Sequence, residues 1–86
     1  MRFLLKLTLN RPASEAIMAL LPAEQRRGKE RAEQGIRGAV YVAADRSAVW
    51  TVWNCDSEDV LDEATKTLPL FEFWNIEITR LADGDF

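Results

Sequence analysis

The chain has 86 residues, a net charge of −3, one cysteine and no histidine. This length makes one domain, residues 1–86, and a lone chain of that size hides only roughly 60–65% of its unfolded surface. The composition excludes intrachain disulfides and argues against a thiol/imidazole metal site, a histidine-based triad and a nucleic-acid binder, which carries a basic balance. No apolar run approaches the ~20 residues of a membrane span. Small domains draw extra burial from a partner subunit where disulfides and metals are absent, so a homo-oligomer is expected.

Residues 2–9 alternate, with Phe3, Leu5, Leu7 and Leu9 on one face and Leu4, Lys6 and Thr8 on the other; this predicts a strand, β1. Lys6 interrupts the apolar stretch, so these residues read as a strand and not as a leader, and a cytoplasmic protein is expected. Ser14 is a candidate helix cap, and residues 15–34 are helical in pattern (α1), with apolar spacing at Ile17, Leu20, Leu21 and Ala32. Pro22 predicts a kink or restart, because Leu21 is disfavoured in the α region before it. Gly35 suits the C′ position.

Residues 36–44 form a predicted β2, and residues 48–55 a predicted β3 that is apolar on both faces, with Trp50 and Val52 opposed to Val49 and Trp53. The short turn between them makes a hairpin. Asp56 or Ser57 caps a second helix, α2, residues 58–68, with Val60, Leu61, Ala64 and Leu68 on its apolar stripe; Pro69 ends it. Its acidic first turn suits the helix dipole without any bound cation. Residues 73–81 form β4, and 82–86 a polar tail. Cys55 reads as a small buried hydrophobe at the end of β3.

The order βαββαβ with right-handed crossovers predicts an α+β, ferredoxin-like fold: a four-stranded antiparallel sheet, both helices on one face, β1 and β3 central. A large ring on each face of β3 leaves the helix-free face apolar, which marks a protein interface. Two sheets packed face to face make a dimeric α+β barrel.

The segment "LPLFEFWNIEITRL" and the helix "AEQRRGKERAEQG", with Glu24, Arg27, Gly28 and Glu30, resemble the muconolactone delta-isomerase family over roughly residues 2–81. The resemblance implies this ferredoxin-like dimer, which can build larger rings of dimers. It also implies a cofactor-free isomerase or cyclase that shifts a proton and a double bond in a small lactone or carbonyl compound. Two departures stand out. The family's isomerases carry a Trp-Arg-His-Leu-Trp-Arg type cluster on β2, where this chain reads Arg37-Gly38-Ala39-Val40-Tyr41-Val42, and Glu72 replaces a proline between the late aromatics. The alternative is therefore a non-catalytic small-molecule-binding or assembly domain of the same fold.

Such a reaction needs a base beside the acidic carbon and a donor or cation beside the developing enolate. Without histidine, Glu24 is the candidate base, one turn from Leu20 and beside the inward face; the alternative is an ion-pair partner on a solvated flank. Arg27 is a candidate to bind a substrate carboxylate bidentately, or else a surface arginine. Arg37 and Tyr41 on β2 are candidate substrate contacts, and Phe71, Phe73 and Trp74 either line the mouth of the site or reach a neighbouring subunit. Extended residues alternate sides, so these rings are not all expected to point inward. Gly28 implies a close approach of the helix to something beneath it. The small-molecule partner includes a carboxylate-bearing one, and neither nucleic acid nor membrane is expected to bind.

Overall fold

In a computed structural model, which describes residues 1–84, the elements are β1 (Arg2–Leu9), α1 (Glu15–Glu33), β2 (Arg37–Val42), β3 (Val49–Asn54), α2 (Glu58–Lys66), a 3₁₀ turn (Phe71–Phe73) and β4 (Trp74–Leu81). Asp85 and Phe86, the end of the expected polar tail, lie outside the described residues. The sheet order is β2-β3-β1-β4, all antiparallel, with β1 and β3 central as the sequence predicts.

The alternation in β1 sets the two faces. Phe3, Leu5 and Leu7 are buried under the helices and pair with Trp53, Thr51 and Val49 of β3. Leu4 and Lys6 pair with Val52 and Trp50 on the opposite face. Trp53 is 1% exposed, and its indole N–H donates to the Thr51 hydroxyl at 2.7 Å, so the one polar atom of the ring is satisfied inside the core.

Local signals start both helices and end α1 where expected, while α2 stops at Lys66 with Thr67 as its C-cap, short of the expected end at Leu68. The Ser14 hydroxyl accepts from Ile17 N–H and the Ser57 hydroxyl from Val60 N–H, so Ser57, not Asp56, caps α2. Gly35 follows α1 at φ +76°, with its own N–H bonded to Ala32 O and Ile36 N–H to Arg31 O. That double closure needs a left-handed residue, which glycine adopts without a Cβ clash. α1 runs unbroken through Pro22, contrary to the predicted restart. Pro22 and Met18 both lie on the exposed flank, so water can serve the Met18 carbonyl that lacks a helical donor. Val60, expected on the apolar stripe of α2, is 41% exposed, and Thr65 is buried instead.

β2 contains an irregularity that matters for the site. Arg37 pairs with Trp53 and Val40 with Thr51, so three steps on β2 match two on β3. This is a bulge, and it resets the alternation. Arg37, Val40 and Val42 consequently all face the helices, while Tyr41 pairs with Trp50 on the helix-free face. No helix among the described residues is long and apolar enough to cross a membrane.

Candidate active site

α1 presents Ile17, Leu21, Glu24 and Gly28 at intervals of four, three and four, a single stripe at helical spacing. Only Ile17 and Gly28 on this helix are buried. The rest of the stripe stands away from the sheet and roofs a cavity of about 390 Å³. Its floor is Leu7 and Leu9 of β1, Val40 and Val42 of β2, and Val49, Thr51 and Trp53 of β3; Leu68, Leu70 and Trp74 close one side.

Glu24 projects from the roof into this apolar space. One carboxylate oxygen accepts from the backbone N–H of Leu70 at 3.1 Å, and the other from the indole N–H of Trp74 at 3.2 Å. Both donors need a partner for reasons of chain geometry. Leu70 N–H follows Pro69 and has left the ladder of α2, and a half-buried indole N–H is costly unpaired. Each oxygen accepts one of these bonds and keeps a second acceptor direction free.

Arg37 enters the same cavity from β2, beneath α1. A Cβ built on Gly28 would lie 2.5 Å from an Arg37 guanidinium nitrogen, so the absent side chain is the space the arginine occupies. The Arg37 Nε is buried and has no hydrogen-bond partner. Among the described residues the one ion pair is Arg27–Glu30, so no carboxylate neutralises Arg37. Glu24 and Gly28 are one turn apart, about 6 Å along the axis. A carboxylate and a guanidinium therefore share one apolar cavity, a turn apart, without pairing with each other.

Of the residues predicted for the site, Glu24, Arg37 and Trp74 come together here. Arg27 does not: it pairs with Glu30 at 3.1 Å on the outer flank of α1, with 42% of its side chain exposed. Tyr41 is 61% exposed on the helix-free face. Phe71 packs on the core cluster, and Phe73 lies under the Arg11 guanidinium at 4.8 Å. The expected alternation of these rings does not apply, because Phe71–Phe73 is a 3₁₀ turn and not an extended segment.

Arg46, which the sequence reading passes over as a turn residue, lines the cavity at the β2–β3 end. It has φ 66°, in a turn held by Asp45, whose carboxylate accepts from the N–H and hydroxyl of Ser47. Those bonds hold the Asp45 carboxyl below its ordinary range. The "DRS" turn is the sequence signal for this arginine.

A family model described as muconolactone delta-isomerase matches residues 1–84. The chain belongs to that family. The structure is similar to a crystal structure of muconolactone isomerase, at 25% identity and a TM-score of 0.79, covering 98% of this chain and 91% of that one. No curated protein matches the chain. Within the muconolactone delta-isomerase family, this chain thus carries an apolar cavity with one oriented carboxylate and one guanidinium whose buried Nε lacks a partner, and among the described residues Arg46 is the one further charged side chain in its lining.

Proposed function

We propose that the protein is an isomerase that moves a proton, and with it a double bond, in a carbonyl compound or lactone bound between Glu24 and Arg37. One observation carries this reading: Glu24 is oriented by Leu70 and Trp74 inside a cavity that also holds Arg37, whose buried Nε has no hydrogen-bond partner among the described residues. The Glu24 carboxylate takes a proton from a carbon made acidic by a conjugated carbonyl. The C–H electrons move into the conjugated system and the carbonyl oxygen becomes an enolate. The Glu24 carboxylic acid then returns the proton at the other end of the conjugated system, and the carbonyl re-forms with the double bond shifted. No electrons leave the substrate, so a base and a stabilising cation balance the step. Arg37 supplies the cation, either to the enolate oxygen or to a carboxylate on the substrate.

Glu24→Gln tests this. It is expected to keep the fold by circular dichroism, keep ligand affinity within about tenfold, and slow turnover by about 10²–10⁴. Unchanged turnover in a folded variant would remove Glu24 as the base.

A second reading, a binding or assembly domain without catalysis, is favoured by the same two hydrogen bonds, since they tie α1 to the 3₁₀ turn whether or not chemistry follows. Deuterium uptake at the acidic carbon of a bound lactone acid separates the two readings.

We also propose that a second copy of the chain covers the helix-free face, where Trp50, Tyr41, Leu4 and Val52 lie across paired strands. A dimer or a ring of dimers is expected by sedimentation at micromolar concentration, and a stable monomer there would remove the two-sheet arrangement.

A further inference from the structure

The shape of the cavity bears on what it holds, granted the reading above that it is a substrate site. Its volume is about 390 Å³. It falls in the range of roughly 300–1,000 Å³ typical of pockets that enclose drug-sized molecules. A single-ring lactone acid would leave much of the apolar wall without contacts, and uncontacted walls forfeit dispersion energy.

The cavity is also long. Arg37 starts the β2 wall and Arg46 lies beyond its other end, so the two cations bracket five strand steps, roughly 15 Å. Between them the wall is Val40 and Val42, which offer no hydrogen bond from their side chains. Trp53 on the floor has already given its N–H to Thr51 and presents only ring surface. Charged groups thus stand at the two ends, Arg37 and Arg46, and at Glu24, and the middle is suited to flat apolar rings.

We propose that the ligand of this cavity is a fused-ring carboxylate, two rings in size, with its carboxylate on Arg37 and its rings along Val40, Val42 and Trp53. The buried Nε of Arg37, which has no protein acceptor, is then satisfied by the ligand carboxylate. The rings replace water in a space where water finds few partners. The acidic carbon lies beside the carboxylate-bearing ring, one helical turn from Arg37, within reach of Glu24.

The test compares 2-naphthylacetate, a single-ring butenolide acetate and the uncharged 2-naphthylmethanol by calorimetric titration. The indole N–H signals of Trp53 and Trp74 locate binding by NMR. The naphthylacetate is expected to bind at least about tenfold more tightly than the butenolide acetate. Arg37→Met should weaken naphthylacetate by about tenfold or more and leave naphthylmethanol nearly unchanged. Val40→Trp should remove the preference for two rings. Equal or tighter binding of the butenolide acetate to the wild-type protein overturns the proposal, and that ratio decides even where a variant does not fold. So does naphthylacetate binding that moves the Trp50 signal and not those of Trp53 and Trp74. Deuterium uptake dependent on Glu24 is scored separately. Its absence on the butenolide acetate, the probe whose C–H a conjugated carbonyl activates, overturns the isomerase reading alone where the ring preference is intact, and its presence there without ring preference overturns the ligand class alone.

Discussion

The two helices lie on the same face of the sheet and meet it differently. α2 spans nine residues and buries Leu61, Ala64 and Thr65. α1 spans nineteen and buries only Ile17 and Gly28. α2 closes on Phe3, Leu5, Trp53 and Leu68 in one cluster, with Leu61 fully enclosed. α1 holds a carboxylate and a glycine on its inward stripe, where a packing helix would carry leucine. Tight packing and an open site are thus divided between two elements, and the residues that look poorest for helix packing mark the one that serves the site.

Substitutions can break this contrast, and the largest effect belongs to α2. Leu61→Ala is expected to cost about 2–5 kcal/mol in urea unfolding, because it leaves a void in a closed core. Leu21→Ala on α1 should cost no more than about 1 kcal/mol, since one side of Leu21 already faces the cavity. Equal costs would mean that α1 packs as closely as α2.

Gly28→Ala sharpens the contrast within α1. It raises helix propensity by up to about 1 kcal/mol. It also drives a Cβ into the space held by the Arg37 guanidinium. Thermal stability should therefore stay level or rise, while affinity for a carboxylate ligand falls severalfold. Level or higher stability with affinity intact would show that Arg37 moves aside freely and still meets the ligand, and a fall in stability would show that it cannot move aside.

The smallest effect concerns Cys55, at the α2 end of the core. Burial pushes its thiol above the ordinary value of 9.0. The unfolded chain then loses this proton first as pH rises. The contribution of the protonated thiol is present in full below about pH 9 and declines as pH climbs from there through the raised folded value. Stability should slope downward above pH 9, and Cys55→Ala should flatten that slope. A thiol that reacts with disulfide reagents at neutral pH as fast as a free cysteine would contradict its burial.

Much of the fold is legible from short-range signals. The alternation of Phe3, Leu5 and Leu7, the caps at Ser14 and Ser57 and the glycine at position 35 are each decided within a few residues, and they specify the elements and the two faces. Helical spacing likewise places Glu24 one turn from Leu20 and beside the inward face, and the hydrogen bonds to Leu70 and Trp74 decide between that position and a solvated flank. The choice of cation is not legible in this way. Plain alternation along β2 would set Arg37 on the same face as Tyr41, and spacing on α1 makes Arg27 the nearer arginine. The bulge between Arg37 and Val40 reverses the first expectation, and the Arg27–Glu30 pair removes the second. A bulge is defined by register against a partner strand, and β3 is brought there only when the sheet assembles. The aromatic run teaches the same point, since the 3₁₀ turn that separates Phe71, Phe73 and Trp74 closes against Glu24 across the fold. The elements and most of their faces follow from the sequence, because those depend on backbone period and local caps, and Glu24 follows as a candidate beside the inward face of α1. That Arg37 enters the cavity beneath Glu24, and that the cavity wall beyond it is apolar, depends on the assembled fold, because strand register and helix standoff arise from contacts between residues far apart in the chain.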